Sequence, residues 1–130
     1  MLDEFGTLSV RAFVARGALP VSGAVVRITG AEEQNRSVIH SLITDRDGVT
    51  PPVSLPAPNR NLSLTPHPSA TPYALYDIEV SADGYFPKKL VGVPVFPGIY
   101  SLQPVNMIPE SADFPRGNVN AVTPESNLPN

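Results

Sequence analysis

Acidic side chains that could bind a cation occur together in the segment Asp45-Arg46-Asp47-Gly48. An EF-hand-like calcium loop needs further oxygen ligands and a Glu at its twelfth position. Counted from Asp45, the twelfth position is Pro56. The segment therefore favours a tight turn, in which an Asp side chain hydrogen-bonds the local backbone and Gly48 accepts a positive φ. Weak calcium binding by Asp45 and Asp47, with help from neighbouring groups, stays open as the alternative.

The two histidines, His40 and His67, are too few and too far apart in sequence to form a metal motif. His40 lies in an apolar segment with Val38 and Leu42 on its face, which is typical of a strand. The chain has no cysteine, so thiolate zinc sites, disulfide frameworks and cysteine nucleophiles are excluded. We predict neither a metal nor an organic cofactor.

Residues for nucleophilic catalysis do not form a known pattern. A catalytic serine needs a base and an orienting acid, and the chain has no Gly-x-Ser-x-Gly segment. Glycines occur singly at predicted turns, so there is no glycine-rich phosphate loop. The paired carboxylates Asp3-Glu4 and Glu32-Glu33 fall in polar segments, where we expect them to be solvated. We therefore expect no enzymatic activity.

Aromatic side chains are concentrated in the C-terminal half, where several lie close to prolines. Aromatic rings near prolines can form platforms for sugars or extended peptides, because each ring offers a large apolar surface with little flexibility. Tyr73, Phe96 and Tyr100 lie at the ends of predicted segments and are the candidate ligand or partner contacts. Packing in and around the core is the alternative role for the aromatics as a group.

The composition limits the class of protein. Charged residues make up 16%, the net charge is −3, and Lys and Arg together number 9, which argues against nucleic-acid binding. No stretch approaches the length of about 18 apolar residues that a membrane helix needs. The acidic start at residues 1–4 lacks the basic part of a secretory signal. We expect a cytoplasmic protein that does not bind membranes.

Seven short extended segments separated by turn signals are predicted, and 16 prolines argue against long helices. The clearest alternation is at residues 73–81, where Tyr76, Ile78 and Val80 share one face. An Asp-Gly hairpin turn follows at residues 82–85. The segments are 8–15, 23–29, 37–44, 53–55, 73–81, 88–95 and 99–108. Short strands with frequent turns predict an all-β, antiparallel Greek-key β-sandwich.

Two parts of the chain are predicted to lie outside this regular structure. Seven prolines fall within residues 51–72, and we predict an irregular segment over residues 57–71. From residue 110 the chain is rich in Asn, Pro, Ser and Glu, and it cannot offset its ordering entropy by burial. We therefore predict a β-sandwich domain over residues 1–109 and a disordered tail over residues 110–130.

Three stretches of the chain carry a family resemblance: residues 10–28 with Pro20-Val21-Ser22-Gly23-Ala24 at the centre, Thr44 to Gly48, and Tyr76 to Tyr85. Together they resemble the carboxypeptidase regulatory-like domains, which have a prealbumin-like (transthyretin-like) sandwich. The family has P-V-x-G-A-x-V, T-D-x-x-G and Y-x-(V/I)-x-x-x-x-G-Y in that order. The resemblance spans residues 7–108. In this chain the shared positions are turn and strand residues, so they imply a fold and no active site.

The closing segment, residues 92–109, resembles the end of the non-catalytic N-terminal module of clostridial spore cortex-lytic proteins. The resemblance implies a setting in peptidoglycan or spore-cortex metabolism and an association with spores. We expect no counterpart of the lytic regions that follow the module in those proteins, so lytic activity is not carried over.

Two chemistries of related folds are not expected. Hydroxyisourate hydrolase shares the prealbumin-like fold but has a histidine near its start and a Tyr-Arg-Gly-Ser end, both missing here. Intramolecular isopeptide bonds of related bacterial surface domains need a Lys on the first strand, an acid and an Asn. Glu79 and Asn106 are candidates for the last two, but the first strand carries Arg11 and no Lys.

The function predicted from the sequence is a non-catalytic interaction module. It would present a strand edge, or the proline-rich residues 51–72, to a protein partner. Two alternatives stay open: a self-assembling structural subunit, and a carbohydrate-binding module for peptidoglycan.

Overall fold

The computed structural model describes Leu2 and residues 4–15, 18–58 and 72–110. Within these ranges seven strands have five residues or more, and three strands have two residues. The seven longer strands correspond to the seven predicted segments. In chain order the elements are β1 (Glu4–Val14), β2 (Leu19–Pro20), β3 (Val25–Gly30), a 3-10 turn (Glu33–Asn35), β4 (Ile39–Ile43), β5 (Val53–Ala57), β6 (Ala74–Ser81), β7 (Tyr85–Phe86), β8 (Lys88–Val95), β9 (Tyr100–Asn106) and β10 (Ile108–Pro109).

The first sheet is built around β1. Strand β9 runs parallel to β1 along one side. Strands β5 and β2 run antiparallel to β1 along the other side, β5 beside its first half and β2 beside its end. Thr50 bridges the gap between them, because Val10 N donates to Thr50 Oγ1 and Thr50 N donates to Val10 O, both at 2.9 Å.

The pairing of β1 with β9 is the one parallel pairing among the described strands. Alternation of apolar and polar residues predicts which side chains share a face, but it does not give the direction of the neighbouring strand. The predicted all-β sandwich is therefore confirmed, with one parallel ladder that the sequence pattern did not predict.

The second sheet has the strand order β4-β3-β6-β8 and is antiparallel throughout. Its outer face carries charges along the middle, where Arg27 of β3 pairs with Glu79 of β6 and Glu79 pairs with Lys89 of β8. Opposite charges on directly paired residues stabilise such a face modestly. Strands β7 and β10 form a separate two-stranded ladder.

The inward faces of the two sheets meet in one hydrophobic core. Tyr76, Ile78 and Val80 are at most 1% exposed, whereas Glu79 between them is exposed, so the predicted register of β6 is confirmed. Burying each large apolar side chain contributes about 1.5–3 kcal/mol relative to leaving it in water. The other core residues are Leu8, Val10, Ala12, Val14, Val21, Ala24, Val26, Ile28, Leu55, Ala74, Val95, Val105 and Met107.

The structure confirms the turns that were predicted at glycines. Gly23, Gly48 and Gly84 have φ values of 77°, 80° and 86°. These are left-handed conformations that glycine adopts without a steric penalty. Each of the three glycines lies in one of the stretches that carry the family resemblance.

Several strand bounds differ from the sequence prediction. Strand β5 continues past the predicted end at Leu55 to Ala57, where the irregular segment was predicted to begin. Strand β1 begins at Glu4 rather than Leu8, because residues 4–8 pair with β5. Gly6 also lets β1 pass close to the turn after β8. A Cβ at Gly6 would lie 2.6 Å from Val95 Cγ1 and against the Phe96 carbonyl oxygen. The predicted last segment is divided into β9 and β10 at Met107, whose N–H donates to Phe13 O at 2.7 Å.

Several predictions lie outside the described residues. They are most of the irregular segment (59–71), His67 within it, and the tail beyond residue 110. The described part of the chain contains no helix that could span a membrane.

Candidate functional site

Tyr73 and Phe96 lie side by side at one end of the second sheet. They continue the β6–β8 ladder, in which Ala74 pairs with Val95. Their ring centroids are 5.3 Å apart and the rings meet edge to face at 62°. Such a pair stabilises by about 0.5–1.5 kcal/mol beyond its buried area. Both side chains are partly exposed, so the pair closes the end of the sheet and also offers aromatic surface.

Tyr100 is the most exposed of the three predicted contact residues, at 60%. It begins β9 and pairs with Thr7 of β1. Its hydroxyl donates to Ser9 Oγ at 3.1 Å, although Ser9 itself is buried. The hydrogen bond restrains the Tyr100 ring against the outer face of the first sheet.

Exposed apolar side chains line that outer face. Strand β9 turns Tyr100, Leu102 and Pro104 outward in alternation, and β1 contributes Phe5 and Phe13. Phe5 and Tyr100 are each more than half exposed. We call the five residues Phe5, Phe13, Tyr100, Leu102 and Pro104 the outer apolar face. Large apolar side chains exposed on one face of a sheet mark a candidate binding surface.

The side chain of Arg11 lies over one part of the outer apolar face. The Arg11 guanidinium carbon is 5.0 Å from the centroid of the Phe13 ring. This is within the range of a cation–π interaction. Arg11 also occupies the register position opposite Pro104, so a positive charge borders the apolar side chains.

The turn between β8 and β9 connects the two aromatic sites. Gly98 N donates to Phe5 O and Thr7 N donates to Ile99 O, both at 2.9 Å. These hydrogen bonds hold the turn against β1. Phe96 precedes the turn and Tyr100 follows it. The three residues predicted from the sequence therefore lie at one end of the molecule.

Phe5, Leu102 and Pro104 were not predicted as contacts. The period-two spacing of Tyr100, Leu102 and Pro104 was a visible signal, since alternate residues of a strand face the same side. Phe5 could not be assigned because the predicted first strand began after it.

In the acidic turn Asp45–Gly48, the Asp45 side chain hydrogen-bonds the local backbone. Asp45 Oδ1 accepts hydrogen bonds from Asp47 N at 2.9 Å and from Val49 N at 3.0 Å. This is the Asx-type turn predicted from the sequence. In the described part of the chain, no group of three or more His, Cys, Asp or Glu side chains could hold one metal ion.

The isopeptide candidates Glu79 and Asn106 are not brought together. Glu79 is exposed on the outer face of the second sheet, and Asn106 is exposed on β9 of the first sheet. The core separates these two outer faces.

A shallow cleft of about 460 Å³ lies at the start of β3 and the end of β6. Its lining includes Ser22, Ser81, Asp83 and Tyr85, and none of the three predicted contact residues contributes to it. The candidate site is therefore an aromatic surface rather than an enclosed pocket.

No protein-family model matches the chain, and no curated protein matches it. Among solved structures, a Bacillus anthracis TIE protein is similar with a TM-score of 0.54 and 15% identity, over 82% of this chain and 17% of that one. A point mutant of Acinetobacter radioresistens catechol 1,2-dioxygenase is similar with a TM-score of 0.52 and 13% identity, over 98% of this chain and 57% of that one. The chain thus spans less than two thirds of either structure. At these identities the likeness shows an all-β sandwich fold and carries no activity with it.

Proposed function

We propose that this chain is a non-catalytic β-sandwich interaction module that binds a protein partner through the outer apolar face. The observation that carries the proposal is the exposed alternation of Tyr100, Leu102 and Pro104 along β9, flanked by Phe5. Aromatic residues are enriched in protein interfaces, and charged residues are depleted from their centres. Within β9 no residue is charged.

The outer apolar face is partly organised before any partner binds. Tyr100 is restrained through Ser9, and Pro104 has a fixed φ. Restraint in the free protein lowers the entropy that is lost on binding. A strand with these two restrained residues therefore suits recognition of an extended or flat partner.

Membership of the carboxypeptidase regulatory-like family is part of this proposal. It is supported by the positive φ angles of Gly23, Gly48 and Gly84 at the turns where the family motifs have glycine. A link to peptidoglycan or spore-cortex metabolism rests on the resemblance of residues 92–109. That segment includes β9 and thus carries Tyr100, Leu102 and Pro104. A cytoplasmic, spore-associated location belongs to the same proposal.

Direct binding of peptidoglycan is the second candidate function, favoured by the exposed ring of Tyr100 on the same face of β9 as Pro104. It predicts that the purified protein sediments with insoluble peptidoglycan from vegetative wall or spore cortex at physiological salt. Tyr100→Ala should then reduce the pelleted fraction. Val91→Ala is the matched control, since Val91 is exposed on the second sheet away from the outer apolar face.

The protein-partner proposal is tested by capture from sporulating cells on the immobilised full chain, with bound proteins identified by mass spectrometry. The proposal expects a bound protein that is lost with Tyr100→Ala and with Leu102→Ala and is kept with Val91→Ala. Sedimentation with peptidoglycan that depends on Tyr100, without such a protein, would replace the proposal by the carbohydrate function. If neither kind of binding depends on Tyr100, the outer apolar face is not the binding site.

A further inference from the structure

The free edges of the two sheets differ in their protection against pairing with another strand. Exposed edges in natural proteins carry proline, charge or bulges, because unpaired backbone groups recruit further strands. Strand β5 has Pro56, β9 has Pro104, and β8 has Pro94, two lysines and an irregular register opposite Tyr76–Ile78. Strand β4 is Ile-His-Ser-Leu-Ile and has none of these. Among the described strands, only β3 pairs with β4.

The backbone of β4 leaves alternate residues free at this edge. Thr44 N donates to Ala24 O and Gly30 N donates to Val38 O, both at 3.0 Å. In an antiparallel ladder, hydrogen-bonded and non-hydrogen-bonded pairs alternate. The even-numbered residues of β4 therefore bond to β3. The N–H and C=O groups of the odd-numbered residues point away from it.

The same odd-numbered residues present their side chains on the outer face. Ile39 and Ile43 are 56% and 62% exposed, and Ser41 between them is exposed. Val25 of β3 pairs with Ile43 and is also exposed, so the apolar surface extends inward from the edge. Two isoleucines at equal distances on either side of a serine make a pattern that is symmetric about Ser41.

We propose that two copies of this chain pair through β4, antiparallel and centred on Ser41, to form one continuous sheet across the dimer. A two-fold axis at Ser41 places Ile39 of each copy opposite Ile43 of the other. Each of the three odd-numbered residues then exchanges both backbone hydrogen bonds with its counterpart. The inference is independent of the proposed function, because β4 and the outer apolar face belong to different sheets.

A second copy fits this edge better than an unrelated strand does. An isologous contact requires one surface that is complementary to itself. In the register centred on Ser41, each isoleucine of one copy lies opposite an isoleucine of the other. The N–H and C=O groups of the odd-numbered residues then face those of the second copy. A shift of two residues would oppose Ile39 or Ile43 to Ser41 and lose both apolar pairs.

Disulfide trapping tests the two-fold axis directly. The chain has no cysteine, so Ser41→Cys introduces a single thiol. Directly opposed residues in a hydrogen-bonded antiparallel pair have Cα atoms about 5.5 Å apart, which suits a disulfide. Mild oxidation should convert Ser41→Cys to a covalent dimer. Ser81→Cys is the control, on the same outer face but on β6, and should stay monomeric.

Sedimentation of the full chain from about 1 µM to about 1 mM provides the second test. The dimer fraction should rise with concentration, and Ile43→Lys should weaken the association by about tenfold or more. Val91→Lys is the matched control, because Val91 is 73% exposed on β8, the opposite edge of the same sheet. Both lysines would lie at exposed positions, so the fold should tolerate them.

Three outcomes would overturn the dimer. The first is a monomer over the whole concentration range, with no disulfide for Ser41→Cys. The second is a dimer that Ile43→Lys leaves unchanged. The third is a dimer that Val91→Lys disrupts instead, which would locate the contact at β8.

Discussion

At the scale of single residues, Tyr76 connects the two sheets through its hydroxyl. The side chain is fully buried, and its hydroxyl donates to Pro56 O of β5 at 2.6 Å. Tyr76→Phe keeps the ring but leaves the Pro56 carbonyl without this donor. We expect the free energy of unfolding to fall by about 1–2 kcal/mol. Urea unfolding at pH 7 measures this change. Tyr100→Phe is the comparison and should cost less, because its hydroxyl makes a longer hydrogen bond, 3.1 Å to Ser9 Oγ, at an exposed position. An unchanged free energy would mean that the inter-sheet bond contributes nothing.

Tyr76 also makes stability depend on alkaline pH. Burial raises the pKa of Tyr76 above its usual value of 10.0. Above about pH 10 the unfolded chain loses this proton before the folded chain does, so the free energy of unfolding falls as pH rises. Tyr76→Phe lacks the group, and its stability should decline less steeply than that of the wild type between about pH 9 and pH 11. Equal slopes for the two proteins would contradict this prediction.

At the scale of elements, Thr44 ties the end of β4 to the segment that precedes β3. Its hydroxyl donates to Val21 O at 2.7 Å and accepts from Ala24 N at 2.9 Å. Thr44→Val keeps the shape but leaves two buried backbone groups unsatisfied, so we expect a loss of about 2–4 kcal/mol. Thr29→Val on the outer face of β3 is the control. Thermal and urea unfolding give the comparison, and equal losses in both variants would show that the Thr44 bonds are not responsible.

Gly6 determines where the turn between β8 and β9 lies. A Cβ there would press on Val95 and on the Phe96 backbone, so Gly6→Ala must displace the turn. We expect a destabilisation of about 1–3 kcal/mol and changed aromatic NMR shifts for Phe96 and Tyr100. Gly84→Ala is the control, because its Cβ meets nothing within 4 Å and only its positive φ is strained. If both variants leave the shifts of Phe96 and Tyr100 unchanged, Gly6 does not position the site.

At the scale of the whole molecule, the sequence predicted the strand faces and turns, which depend on residues close together in the chain. Alternation identified the buried face of Tyr76, Ile78 and Val80, and turn chemistry identified Gly48 and Gly84. The sequence pattern did not predict contacts between residues that are far apart in the chain. The outer apolar face requires β1 beside β9, residues about 90 apart in sequence, and local patterns do not specify such pairings. The free edge of β4 became visible only once its position in the sheet was known.

The boundary of the folded unit is the last prediction at this scale. The final backbone bond among the described residues is Glu110 N to Gly84 O at 2.8 Å, next to the ladder of β10 with β7. Residues 111–130 have a composition that cannot offset ordering entropy, so their deletion should change the melting temperature by less than about 2 °C. Deletion from residue 107 onward is the comparison, and it should destabilise strongly because Met107 is 2% exposed in the core. Calorimetry of both truncations locates the boundary, and a large drop for the first would show that the tail packs against the sandwich.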